Sequence, residues 1–391
     1  RTSLGTVVTE FEVTQISFGG QRSFSNMITV DGADFVNVLS GVQRATPPQE
    51  SVAEFRVVNN SFGTEYGRAI GGIVNVVTRS GSNDFHGSVY NYFQNSATNA
   101  RSVLQPEPLP FALRQNQFGG VLSGPIAEDK TFFFLNYEGV RRGETPPLPA
   151  HFWSNLETIN RAKAFMGIPS EDSSVLKSKD NDYGFARVDH QINDWHHLGV
   201  RYNIEDARDL NQLVGSTLDA GGIGAPSAGR NLFIRDQSLV TTLDSVLSPA
   251  VVNTFLVQYA RRHYNFPGAT GEPNIDVGND LMFGHSFGVN DAMYESRLQF
   301  SDDLSYVKGD HTLKFGVDVN HVWDLTNFPG FTPARLIFPA LNCVIDFANY
   351  VDYLGLAATN PIPHIPGPLC TDILPPGMHG SPVMYYGVSL R

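Results

Sequence analysis

His196-His197-Leu198-Gly199-Val200-Arg201-Tyr202-Asn203-Ile204-Glu205 alternates without a break. His196, Leu198, Val200, Tyr202 and Ile204 fall on one face of an extended chain; His197, Gly199, Arg201, Asn203 and Glu205 fall on the other. A period of two belongs to a strand with one apolar face, and the 3.6-residue turn of a helix would scatter it. The same alternation sets Leu313, Phe315, Val317 and Val319 against Lys314, Asp318 and Asn320, and Phe255, Val257 and Tyr259 against Thr254 and Gln258. Outward from these, segments rich in aromatic and β-branched side chains predict strands over 85–94, 115–124, 130–141, 182–192, 196–206, 236–247, 251–264, 295–307, 312–323 and 383–391.

The connections between these strands carry a second pattern. Short ones of three to five residues alternate throughout with long ones of 20 to 59. A soluble β-sandwich accounts for alternation within strands but gives no reason for alternation of loop length. A transmembrane barrel does, because tight turns lie at one membrane face and long loops at the other. Asn193-Asp194-Trp195, Ser248-Pro249-Ala250 and Lys308-Gly309-Asp310-His311 carry the turn chemistry expected of the short connections. Trp195, Tyr202, Tyr259, Tyr264, Trp323, Tyr385 and Tyr386 lie near predicted strand ends, where a barrel places its aromatic girdles.

Composition narrows the function classes. Of 391 residues 17% are charged, with 37 Gly, 24 Pro, 27 Phe and 14 Tyr, which argues against a helical bundle. The net charge of −12 repels a polyanion, so nucleic acid is excluded as a partner. No apolar run reaches the length of a transmembrane helix, an absence that leaves membrane barrels untouched. Residues 1–84 are glycine-punctuated with short apolar runs, such as Met27–Val30 closed by Asp31-Gly32, and predict a compact α/β or β unit. The chain opens at Arg1 without a basic-then-apolar leader and ends at Arg391 within a strand-like segment, which reads as a piece of a longer protein. Cys343 and Cys370 are too few for a disulfide scaffold or a zinc site, and their place in one long Pro-rich connection suits a single disulfide staple.

Enzyme chemistry finds little support. Gly284-His285-Ser286-Phe287-Gly288 fits the nucleophile-elbow pattern, but no following amphipathic helix, no oxyanion stretch and no alternating β and α units accompany it. Ser286 is therefore read as an ordinary loop serine. His196 and His197 point to opposite faces and cannot share a metal, and neither a His-Glu-x-x-His stretch nor a P-loop occurs. The acidic residues Glu171, Asp172, Glu272, Asp276 and Asp280 are read as solvated loop charge in preference to Ca²⁺ ligands. No catalytic residue, cofactor or metal site is assigned.

Phe62-Gly63-Thr64-Glu65-Tyr66-Gly67-Arg68-Ala69-Ile70-Gly71-Gly72-Ile73-Val74-Asn75-Val76-Val77-Thr78-Arg79-Ser80-Gly81 resembles the end of the plug domain of TonB-dependent outer-membrane receptors. That family repeats a Tyr-Gly, a Gly-Gly and an Asn-x-x-Thr-Lys pattern, matched here by Tyr66, Gly67 and Arg68, by Gly71 and Gly72, and by Asn75 and Thr78, with Arg79 in the place of the usual Lys. Thr29-Val30-Asp31-Gly32 and Glu54-Phe55-Arg56-Val57 look like the preceding plug strands. Asn116-Gln117-Phe118-Gly119-Gly120, Lys130-Thr131-Phe132-Phe133-Phe134, Arg187-Val188-Asp189-His190-Gln191 and Lys308-Gly309-Asp310-His311 resemble barrel strands of the Oar-like branch.

The resemblance implies an all-β chain: the C-terminal part of an α+β plug domain over 1–84, then the N-terminal part of a transmembrane antiparallel barrel over 85–391, about ten strands of 22. It implies a receptor in the bacterial outer membrane that binds an extracellular ligand and passes it through the barrel, driven by TonB through a box upstream of Arg1. Siderophore, oligosaccharide and peptide cargo all remain open. The alternative is an adhesion or surface-assembly protein that uses the barrel as an anchor. In either case Leu198, Val200 and Tyr202 are expected to face lipid, and Gly199, Arg201 and Asn203 the lumen or plug, so that an arginine is costly at Val200 and tolerated at Asn203.

Overall fold

In the computed structural model, Met27–Val30 (β1) turns back through Asp31 and Gly32 into Ala33–Asp34 (β2). Both turn residues have positive φ, the two-residue geometry whose twist matches a hairpin. Val52–Asn59 (β3) and Gly72–Thr78 (β4) complete a sheet ordered β2-β1-β4-β3, in which β1 and β4 run parallel. Ile28, Val30, Phe35, Val74 and Val76 form its apolar core. The structure describes residues 25–37, 47–59, 69–100, 112–212, 223–268, 271–277, 281–285, 292–327, 334–338 and 383–386, apart from scattered single positions within them, and a few isolated positions outside them.

The main body is one antiparallel sheet of nine strands: β5 (His86–Asn95), β6 (Leu113–Ala127), β7 (Thr131–Glu144), β8 (Lys177–Asn193), β9 (His196–Gln212), β11 (Arg230–Ser248), β12 (Val251–Asn265), β15 (Ala292–Lys308) and β16 (His311–Asn327). Each pairs with the next in the chain, so the sheet is an uninterrupted meander. The turns 128–130, 194–195, 249–250 and 309–310 are tight; 96–112, 145–176, 213–229 and 266–291 are long. Asp129 and Gly309 supply positive φ in two of the tight turns. Past β5 the strands run 14 to 19 residues, longer than a bilayer requires, so they project beyond the hydrocarbon.

Short strands outside the wall are β10 (Ile223–Gly224), β13 (Asn274–Val277), β14 (Leu281–Phe283), β17 (Ala334–Phe338) and β18 (Val383–Tyr386). They form a separate sheet ordered β10-β14-β13-β17-β18. Of the segment expected to be a tenth barrel strand, 383–391, the described part, Val383–Tyr386, pairs with β17 and not with the wall. A helix unforeseen from sequence, α1 (Ala150–Phe165), joins this layer. Phe152, Ile159 and Ala162 recur at helical spacing and bury against Ile275, Val277, Leu281, Phe283 and Phe338, giving the layer its own core.

The wall has two unlike faces. One row of paired residues crosses it as Arg187, Arg201, Val240, Gln258 and Gln299, and is mostly polar. The next row, facing the other way, reads Val188, Val200, Thr241, Val257, Phe300 and Val319. Gln258, Arg297 and Gln299 are fully buried, whereas Val188, Tyr202, Leu239, Tyr259 and Phe300 are exposed. A soluble domain does the reverse; polar-in and apolar-out is the arrangement of a membrane barrel wall. Arg201 and Asn203 face inward and Tyr202 outward, as expected. Tyr264 departs from the expected girdle: it is buried on the inner face beside Phe266 and Met293, while Trp195, Tyr202, Tyr259 and Trp323 are exposed. The side chains of Tyr385 and Tyr386 lie outside the described ones.

Candidate functional site

The small sheet rests against the inner face of the wall through charge and a small apolar contact, Ala33 against Val240 and Leu256. Asp31, held in the β1–β2 turn, accepts hydrogen bonds from the Thr78 amide and hydroxyl, each at 2.8 Å. The Arg201 Nε of the wall sits 2.8 Å from the same carboxylate, and Arg201 also donates to the Val30 carbonyl at 3.1 Å. Its remaining amine donates to Asn203 at 2.7 Å. Arg187, one strand away, grips Asp189 at 2.8 Å through two nitrogens and donates to the Thr78 hydroxyl at 2.9 Å. Ser80 donates to Asp189 at 2.7 Å, closing the ring between sheet and wall.

A second cluster lies further along the wall, on β11, β12, β15 and β16. Asp34 is fully buried and pairs with Arg297 at 3.1 Å. It also accepts from Asn320 at 2.9 Å, and its amide donates to Gln299 at 2.9 Å. Arg44 reaches Asp236 at 2.5 Å and Glu295 at 3.4 Å, and Arg262 lies 3.7 Å from Asp236. Asn37 donates to Glu295 at 2.9 Å. Three acids and three arginines therefore meet out of water with no net charge. Buried ions are tolerated only in such pairing, and removing one partner strands the other.

The residues read from the sequence motif behave unequally. Thr78 joins the first cluster, and Asn75 accepts from Thr29 at 2.9 Å within the small sheet. Gly72 opens β4 where an added Cβ would lie 2.4 Å from the Phe18 ring, so no larger residue fits without displacement. The Gly71 amide donates to the Ser25 carbonyl at 3.1 Å. A Cβ added at Gly67 would meet nothing within 4 Å among the described residues. Tyr66 is half-buried and its amide donates to Gly63. Arg68, Cys343, Cys370 and Ser286 lie outside the described residues. Asp34, Arg44, Asp236, Glu295 and Arg297 were not anticipated. For Asp236, Glu295 and Arg297 the one sequence signal was a charged residue at the inward position of an alternating strand; Asp34 and Arg44 lie off such strands and carried none.

Over the long-connection end of the wall, Lys163 of α1 is buried between Glu171 at 2.9 Å and Glu272 at 3.0 Å. The Ser227 amide donates to Glu171 at 3.0 Å, and the Gly284 amide donates to the Ser227 hydroxyl at 2.7 Å. Glu171 and Glu272 are thus no solvated loop charges: they tie three separate connections into one body. Among the described residues no cluster of His, Cys, Asp and Glu is arranged to hold a metal.

Comparison with known proteins agrees with this architecture. Residues 77–151 and 168–340 match the family described as outer membrane beta barrel domain. The TonB-dependent transporter Oar of Myxococcus xanthus is 35% identical over 129 residues, 31% of this chain and 12% of that protein. In fold, the chain is similar to the outer membrane transporter YddB of Escherichia coli, with a TM-score of 0.61 at 11% identity, covering 87% of this chain and 45% of that one. The siderophore receptor PirA of Acinetobacter baumannii gives 0.53 at 17% identity, covering 79% and 42%. The chain spans less than half the length of each of these relatives.

Proposed function

Because the chain belongs to the outer membrane beta barrel domain family and lies in the bacterial outer membrane, we propose that it is the receptor part of a TonB-dependent transporter. Residues 1–84 are the C-terminal part of the plug and 85–391 the N-terminal part of the barrel. The receptor binds an extracellular ligand at its long connections and passes it by rearranging the plug, without making or breaking bonds in it. The observation that carries this reading is the inner face: ionic contacts of Asp31, Asp34 and Arg44 seat the small sheet against the wall, beside only a small apolar cluster of Ala33, Val240 and Leu256 among the described residues. A plug that must move needs contacts that water can replace, and ion pairs are of that kind, whereas an apolar interface of the same size is not.

TonB is the proposed partner, through a segment preceding this one, and lipid surrounds the outer face. Among the described residues β5 and β16 are the edges of the wall. Hydrocarbon does not tolerate unpaired backbone, so further strands of the complete protein pair with both. The test uses cells carrying the complete protein, offered a panel of ferric siderophores, oligosaccharides and peptides. Accumulation of one of them should vanish on deleting TonB or adding a protonophore. Surface binding indifferent to both would favour the adhesion reading.

A further inference from the structure

The outer face of the wall carries a groove of about 550 Å³ floored by Gly120, Gly184 and Ala186. Tyr137 and Tyr202 wall it, with Leu122 at one end, and all of these positions lie on the outward face by their strand pairing. Further along β6 on that same face come Phe118, Asn116 and Arg114, and a second hollow of about 540 Å³ opens there, beside Arg141. Arg141 stacks over the Phe118 ring and is held by Asp182 at 2.8 Å. Arg114 is exposed and forms no ion pair among the described residues; Asp180, two strands away, lines the far side of the same hollow, paired in register with Arg141. An apolar slot thus leads along one strand to an outward-facing cation that no described carboxylate pairs with.

The spacing fixes the kind of occupant. Six residues separate Gly120 from Arg114, roughly 20 Å along a strand. At the tilt of a barrel this is about 15 Å of depth, half of the hydrocarbon thickness. We propose that these two hollows form a single site for one anionic membrane lipid, its phosphate on Arg114 and Asn116 and an acyl chain laid over Gly120 and Gly184. The small residues at the floor let the chain lie against the backbone, and the tyrosines flank it. The partner is a phosphate-bearing lipid of the leaflet on the long-connection side, and the site rests on the membrane location of the wall.

The test takes the complete receptor in nanodiscs of phosphatidylcholine containing about a tenth phosphatidylglycerol, released into mild detergent and weighed intact by native mass spectrometry. The unaltered protein should retain one phosphatidylglycerol in preference to phosphatidylcholine. Arg114→Gln removes a charge-assisted contact and should cut retention about tenfold; Arg114→Lys should restore part of it. Ala186→Leu fills the floor while keeping an apolar surface toward lipid, and should also cut retention. Arg261→Gln, which removes another exposed arginine on β12, should leave it unchanged. Equal retention in all variants, or an equal loss with Arg261→Gln, would overturn the site in favour of a diffuse lipid annulus. A receptor that fails to insert as a heat-modifiable barrel would overturn the membrane location itself, a result visible before any lipid is counted.

Discussion

Asp34 and Arg297 are both fully buried, so neither can be lost without leaving the other charged in a medium of low dielectric constant. Arg297→Met should weaken seating of the small sheet by about 3–5 kcal/mol. It should be read as a lower urea concentration for releasing that sheet, with the wall still resistant to detergent. Adding Asp34→Asn to Arg297→Met should recover part of the loss, because the stranded carboxylate is then neutral; a further additive loss would show that the two side chains are not coupled. The pair Val200 and Asn203 illustrates a correction at the same scale. Arginine at Val200 still has to enter hydrocarbon, at about 2–4 kcal/mol near the midplane. Arginine at Asn203, expected from sequence to be harmless, would replace the group that accepts from Arg201 and set two like charges side by side out of water. Asn203→Arg should therefore release the small sheet more readily than Asn203→Gln does, in the same urea titration.

Among the elements, the strands of the wall were readable because lipid and lumen impose a period of two along each of them, as Leu198 to Asn203 illustrates. Their lengths were underestimated beyond the hydrocarbon, where β8 starts at Lys177 and β9 runs on to Gln212, because neither face there must be apolar. Helix α1 was hidden for a different reason: its buried face is completed by β13, β14 and β17, which come from connections over a hundred residues downstream, so its stretch shows only a weak apolar stripe. The buried role of Lys163 was equally invisible, since a lysine, Glu171 and Glu272 acquire meaning only once three connections meet. Lys163→Met should strand those two carboxylates and loosen the layer. Limited proteolysis should then cut faster within 145–176 and 266–291, while the wall keeps its mobility shift on heating; unchanged cleavage would mean that apolar packing around Phe152 suffices.

For the whole molecule, location and orientation can be tested together. The complete protein should fractionate with the outer membrane and migrate differently before and after boiling. A label at Val200 should be quenched by lipid-soluble quenchers, and one at Asn203 should not; equal insensitivity of both positions would contradict a membrane wall. The meander also separates two kinds of contact by their distance along the chain. Each tight turn joins strands that are immediate neighbours in sequence, whereas Asp34 meets Gln299 and Asn320 across 265 and 286 residues. Hairpins of the first kind close in roughly microseconds in isolation, while contacts of the second kind must wait for the distant strands to be in place. Assembly should then run in a set order, with the wall growing hairpin by hairpin from an exposed edge and the small sheet docking last. Until that final step the inward arginines and acids stand hydrated in an open channel, so a newly inserted molecule is briefly a leaky one, and the time for its conductance to fall would measure the docking rate directly.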